Sequence, residues 1–448
     1  MQVLKGLAFS IALSFSVNLF SQSQGWTVDP FDYRVFIENK GQFDNSTDDK
    51  NVPVLFSQRV QGCHTYWTAN GICYTHNKVE MMTDQQKDSM VALNTLMSRN
   101  RDKVFAEDDN GKYHWSLSVP IYMKMTWLNA NPNAEVVAEH IVPSYFTYPA
   151  DGSVNAKTII ANAYEKITYK DLYPNIDVEY IIPKDKEGTK YNLILHPGAD
   201  LSVVKMQYSY AKSIKIDAGG NVVIESEFGE FIDHAPQTFY QDDKKAIKSY
   251  FELNGNVVSF KTENYNTNKP VVVDPWTTNP AFPTWNRAYD VVFDRWGNVY
   301  AYGGNFPWQL AKFNNLGVWQ WTYSAAAMYN SGCCTGSCYG DVAVDEVSGT
   351  CYLSEGFDWA AGARVFKVNT LGVQTAASVG NPNFNEIWRM EYNRCINTLV
   401  GSGGGTSCCF QAIIIDTTFT VMNPVNVYGT GPGTDNCLMS IDPTTNFV

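Results

Sequence analysis

Six histidines and ten cysteines are where chemistry would have to start in this chain of 448 residues. His64, His76, His114, His140, His196 and His234 are scattered, and no spacing sets two of them on one helix face or beside a carboxylate on one strand face. His64 and His76 approach each other only if Asn70-Gly71 turns a hairpin between them, and Glu80 would then complete a minimal metal grouping. In DHAP, residues 233–236, an acid stands next to a histidine. Neighbours in a strand point to opposite faces, so Asp233 and His234 cooperate only across a bend. No nucleophile elbow, HExxH or phosphate loop occurs. The expectation is a protein that is not an enzyme and has no catalytic residue, cofactor or metal site.

The cysteines tell more about compartment than about catalysis. Residues 1–23 set Lys5 before the apolar run Gly6 to Phe20 and follow it with small residues at Ser21 and Ser23, the grammar of a secretory signal peptide. Export makes disulfides the expected fate of cysteine. Cys333, Cys334, Cys338, Cys351, Cys395, Cys408, Cys409 and Cys437 are the candidates, with pairing open. CCTGSC has no suitably spaced histidine to make it a zinc site. Cys63 and Cys73 fall on opposite faces if the Asn70-Gly71 turn is regular, so a bond between them is not expected.

Composition narrows the partners. Net charge is −12 and no basic cluster occurs, which argues against nucleic acid. No later segment has 18 uninterrupted apolar residues, so no transmembrane segment is expected after leader cleavage. A 44% hydrophobic and 14% aromatic content is that of a folded chain.

The elements that must carry these residues fall into two halves. From residue 24 to 275, strand-like runs such as VPVLFSQ, IYMKMTW, YNLILHP and KPVVVDP are bounded by Gly, Pro, Asn and Asp, and Gly219-Gly220-Asn221 and Asn254-Gly255-Asn256 mark hairpins. An antiparallel β-sandwich is expected, with one helix over 83–105 capped by Thr83 and striped by Met90, Leu93, Met97 and Val104. From 276 to 448 a repeat takes over. Asp294, Asp345, Asn393 and Asp442 recur at steps of 51, 48 and 49 residues (345 − 294, 393 − 345, 442 − 393). A second series agrees: KFNNLGVWQW from Lys312, KVNTLGVQTA from Lys367 and IIDTTFTVMN from Ile414. Units of about fifty residues with short strands predict β-propeller blades. The repeated acid is a turn residue, its carboxylate accepting backbone N–H groups. Three blades and the start of a fourth do not close a ring, so the expected fold class is all-β with an incomplete propeller, and the sequence reads as part of a longer protein. Trp296, at a turn tip, and Trp359, in a loop, are the aromatics expected to be exposed and able to stack on a glycan.

FIENKGQFD at 36–44, VLFSQRVQGCHTYWTANGICYTH, IDHAPQTFYQ and KPVVVDP together resemble the N-terminal domain of long secreted proteins of Bacteroidota, which precedes propeller repeats of the SBBP type. The resemblance covers roughly residues 33–276. It implies travel through the type IX secretion system and a place on the cell surface among adhesins or gliding-motility components. The family's sugar-attachment tripeptide occurs at Asp88-Ser89-Met90 and Asp416-Thr417-Thr418, making Ser89 and Thr417 O-glycosylation candidates. DRWGNVY also resembles the aspartate box of sialidase propellers, itself a structural hairpin, without an assignable arginine triad. The expected function is a secreted or outer-surface structural or adhesive protein whose partner is a surface protein or glycan. A polysaccharide hydrolase with its catalytic part downstream, and a subunit of a multi-protein surface machine, are the alternatives.

Overall fold

The computed structural model describes residues 28–31, 33–60, 63–81, 103–107, 113–149, 157–280, 288–304, 308–324, 331–333, 336–338, 340–354, 362–380, 387–404, 410–420 and 422–426. Among them the fold is all β; the sole helical turn is a 3-10 turn at Leu201–Val203. The helix expected over 83–105 is corrected where it is described: Lys103, Val104 and Phe105 lie in β5 (Lys103–Glu107), antiparallel to β6 (Tyr113–Trp127). A Lys-Val-Phe run with a paired neighbour gains more from a ladder than from a helix end. The remainder of that stretch, with Met90, Leu93 and Met97, lies outside the described residues, as do residues 1–27.

In the N-terminal half, one curved sheet folds over a single core. β1 (Phe36–Glu38) is the hinge, pairing with β2 (Val54–Val60) on one side and β8 (Thr158–Tyr173) on the other. One arm runs from β2 through β3 (Cys63–Thr68), β4 (Gly71–Met81) and β6 to β11 (Lys205–Ser209) and β18 (Val257–Thr262). The other runs from β8 through β9 (Ile176–Ile181) and β10 (Thr189–Leu195) to β19 (Val271–Asp274). The arms close to a nearly complete barrel around Trp67, Tyr74, Trp127, Tyr180, Tyr191, Leu193, Met206 and Phe231. β20 (Trp276–Thr278) pairs with β10 and with β14 (Gly229–Asp233), so this half continues through Thr278, three residues past the boundary read from the sequence.

The hairpin between Cys63 and Cys73 turns one residue earlier than expected. Thr68 pairs with Gly71, so Ala69 and Asn70 form the turn and Gly71 belongs to the strand. Glycine is required there by close packing: a Cβ would stand 2.0 Å from the Met125 carbonyl oxygen. Cys73 opposes Tyr66 and His64 opposes Thr75, so Cys63 and Cys73 still occupy opposite faces, each buried as a free thiol in a different apolar cluster.

The repeat folds into three successive four-stranded antiparallel meanders. Blade 1 is β21 (Ala288–Phe293), β22 (Val299–Gly303), β23 (Gln309–Phe313) and β24 (Trp319–Ser324). Blade 2 is β27 (Val342–Val344), β28 (Cys351–Ser354), β29 (Val365–Val368) and β30 (Gln374–Ala377). Blade 3 is β31 (Arg389–Asn393), β32 (Thr398–Gly404), β33 (Phe410–Asp416) and β34 (Met422–Asn426). Neighbouring blades bury Tyr300, Trp308, Leu310, Trp321, Leu353 and Phe366 between the first pair, and Tyr352, Val365, Met390, Leu399 and Ile413 between the second. The fourth copy, with Asp442, lies outside the described residues.

The two halves are joined by a strand pairing. β7 (Glu135–Pro149) runs parallel to β24, with Tyr145 opposite Trp321, Phe146 opposite Thr322 and Thr147 opposite Tyr323. Around it Ser144 Oγ donates to the Trp319 carbonyl at 2.5 Å, and Thr147 Oγ1 donates to the Gly372 carbonyl of blade 2 at 2.6 Å. Phe31 and Tyr33 cover Ala301, Ala311 and Phe313 on the face of blade 1 turned away from blade 2.

Candidate functional site

Each blade's inner hairpin is built by the turn acid that the repeat exposes. Asp294 Oδ1 accepts the Trp296 and Asn298 amides, both at 3.0 Å, and Gly297 supplies φ +79°. Asp345 accepts the Val347 amide at 3.1 Å, and Asn393 accepts the Cys395 amide at 3.1 Å. In blade 3 the left-handed position falls to Asn397, φ +52°, a residue type that tolerates it. The second series does the same at the outer hairpins, where Asn314, Asn369 and Asp416 accept the amides of Leu316, Leu371 and Thr418. Burial pushes the Asp294 carboxyl up, but bonds from Asn298, Tyr300 and the Trp296 amide outweigh it and hold the acid below its ordinary range. These acids shape turns, each in its own hairpin.

Four residues before each turn acid stands the group that sequence reading missed. Asp290, Asp341 and Arg389 precede Asp294, Asp345 and Asn393 by the same offset, so the innermost strands of three blades bring them together. Asp341 is 3% exposed and accepts the Met390 amide of blade 3 at 2.6 Å. Its own amide is taken by Ser354 Oγ at 2.7 Å. Arg389 Nη1 reaches Asp341 Oδ1 at 3.4 Å and Asp290 Oδ2 at 3.5 Å, bridging blades 1, 2 and 3 through one nitrogen. Asp341 is raised to about 8, first by burial and then by hydrogen bonding and repulsion from Asp290, against the pull of Arg389 and the Met390 amide. One guanidinium nitrogen therefore serves two acids, and Asp341 can donate to a neighbouring carboxylate only while it keeps its proton. With Asp341 enclosed, the cluster offers a substrate Arg389, whose side chain is 41% exposed, rather than a carboxyl pair.

A second surface lies at the opposite end of the inner strand. Trp296 is 61% exposed, as expected for the turn tip, with the Arg295 guanidinium 4.5 Å from its ring centre. On the same strand Phe293 is 65% exposed, and Val291 is 52% exposed whereas its counterparts Val342 and Met390 are each 1% exposed in the blade interfaces. Trp359 lies outside the described residues. The other tryptophans described in the repeat mostly pack, as Trp308 and Trp321 do between blades 1 and 2.

Other sequence candidates resolve one by one. Cys351 is corrected: it is a free thiol, fully buried between blades 1 and 2, its Sγ donating to the Gly349 carbonyl at 3.7 Å, and burial pushes its pKa upward. A small side chain fills that seam as an apolar residue would. Cys395 is exposed at the blade 3 turn. The backbones of Cys333 and Cys338 lie in β25 (Ser331–Cys333) and β26 (Gly336–Cys338); their side chains, and Cys334, Cys408, Cys409 and Cys437 entirely, lie outside the described residues, as does Ser89. Thr417 is corrected as a glycosylation candidate: it is 4% exposed beneath the blade 3 turn, with no access for a sugar. His64 and His76 point to opposite faces, His76 stacking on Phe228, and no metal-binding group of three side chains occurs among the described residues. In DHAP, Asp233 faces the barrel core, where Tyr191, Tyr208 and Thr277 donate to it at 2.8, 2.8 and 2.9 Å. His234 faces outward, stacked 3.5 Å from Trp276.

The family model described as Domain of unknown function (DUF7948) matches residues 36–276. The chain belongs to the DUF7948 family. No curated protein matches it. A solved structure titled "Crystal structure of the eukaryotic initiation factor" aligns over 89% of this chain and 96% of that one, at 9% identity and a TM-score of 0.24, too low to bear on the fold. The DUF7948 span opens at the first residue of β1 and ends at the first residue of β20, so it is the N-terminal barrel-like sheet. Asp290, Asp341, Arg389 and Trp296 all lie beyond it. Within that span the IENKGQ and DHAP stretches hold the sheet together: the Asn39 side chain accepts the Gly41 and Phe43 amides, and Asp233 ties β14 to β10, β11 and β20.

Proposed function

We propose that this is an exported, surface-associated structural or adhesive protein in which the DUF7948 sheet serves as a mount and the propeller blades carry the binding faces. The observation that carries the reading is the mount itself. β7 extends blade 1 as a fifth strand, and Thr147 and Tyr145 also hold the blade 2 turn through the Gly372 and Leu371 carbonyls. Two domains fused through a ladder behave as one stiff body, which suits a protein that holds a binding face away from a surface. Trp296 with Arg295 at one end of the inner strand, and Arg389 at the other, are the groups presented for a glycan or a protein. The leader-like first residues and the resemblance to gliding-associated surface proteins point the same way.

The test is antibody detection of the protein on intact cells of its own source, together with adhesion of those cells to immobilised polysaccharide. Surface labelling with adhesion reduced at least severalfold by Trp296→Ala supports the proposal. Protein found only inside the cell, or adhesion unchanged in a strain lacking the protein, overturns it.

A further inference from the structure

The axial cluster is more than a set of charges near one another. Asp341 is enclosed among three blades: its carboxylate takes the Met390 amide of blade 3, Arg389 of blade 3 reaches it and Asp290 at once, and its partner acid belongs to blade 1. The charged groups that face it are Asp290 from β21 and Arg389 from β31, while β28 contributes the neutral Ser354 hydroxyl. A carboxyl group can donate to a neighbouring acid only while it keeps its proton, and two bare carboxylates gathered at one guanidinium nitrogen repel.

We propose that Asp290, Asp341 and Arg389 form a proton-held latch that fixes the spacing of the three inner strands, engaged while Asp341 keeps its proton and loosened when it ionises beside Asp290. Loosening would act first at the Arg389 end of the propeller axis, because the Met390 amide and the Arg389 guanidinium stay with blade 3 while Asp290 and Asp341 separate. The latch stands independently of the adhesive reading. A protein with another role would still carry it.

The sign follows from the raised acid. Asp341 binds its proton more tightly in the folded chain than in the unfolded one, so its contribution is fully present below the ordinary carboxylate range and declines as pH rises toward its folded-state value. Thermal unfolding of the chain from residue 24 onward, from about pH 5 to about pH 9, reads this directly. Asp341→Asn mimics the protonated acid permanently, since its amide donates to Asp290 and its oxygen accepts from Met390. It is expected to flatten the alkaline decline and to unfold above the parent at the highest pH. Arg389→Gln removes the group that pulls the Asp341 value down, so the midpoint of the decline moves to higher pH, which a purely packing role would not do. Should Asp341→Asn fail to fold, Asp290→Asn supplies the same donor from the other side. Parallel pH profiles for the parent and both asparagine variants, or an unmoved midpoint in Arg389→Gln, overturn the latch.

Discussion

Two of the buried carboxylates, Asp233 in the barrel-like sheet and Asp341 at the propeller axis, are treated differently. Asp233 is 0% exposed and is met by three neutral hydroxyls, all from strands of one sheet. Burial raises its pKa and the three donors pull it back. Asp341 is met by an amide, a guanidinium and a second acid, drawn from the blades on either side. A closed core can dedicate partners to an acid that never meets another unit, whereas a stack of wedges must hold neighbours together and uses its acid between them.

The comparison can be broken most forcefully in the sheet. Asp233→Ala leaves the hydroxyls of Tyr191, Tyr208 and Thr277 without their acceptor inside the core, and is expected to cost about 3–5 kcal/mol in urea unfolding. A loss under about 1 kcal/mol would mean that the three donors find other partners. In the blades the largest single effect is expected from Gly372→Ala. The new Cβ would lie 2.8 Å from the Trp321 ring at φ +72°, costing about 1–3 kcal/mol in the blade transition while leaving the barrel core in place. Asp294→Ala removes the acceptor of two turn amides and the partner of Tyr300, for about 1–2 kcal/mol by the same measurement. At the small end, Lys269→Ala breaks exposed pairs with Asp242 and Asp243 and should change stability by less than about 0.5 kcal/mol, vanishing in high salt.

Which of these acids could be read from the sequence depends on the range of the interaction that uses them. Asp294, Asp345 and Asn393 were legible because an Asx turn is local chemistry with a fixed spacing to the amides it accepts. Even the missing glycine of blade 3 was absorbed locally, by Asn397. The axial cluster shared the same period, four residues earlier in each copy, and that shared offset was the available signal. What was hidden was its meaning, because an inner-strand acid meets its partners only once blades are set side by side. The stretch ending in Lys103-Val104-Phe105 shows the opposite failure: its pattern satisfies a helix until β6 offers a ladder. The junction of the halves was beyond reach altogether, since Thr147 meets the Gly372 carbonyl 225 residues away.

That junction decides how the DUF7948 region must be handled when separated from the rest. Residues 36–276 alone would leave Tyr145, Phe146 and Thr147 without the strand that satisfies their outer edge. A bare aromatic edge of that kind recruits other chains, so the isolated region is expected to precipitate, while a fragment extended through Ser324 would bring its own cover. During synthesis the same edge waits, unpaired, until blade 1 emerges, which makes that interval the moment at which a holding chaperone has most to protect.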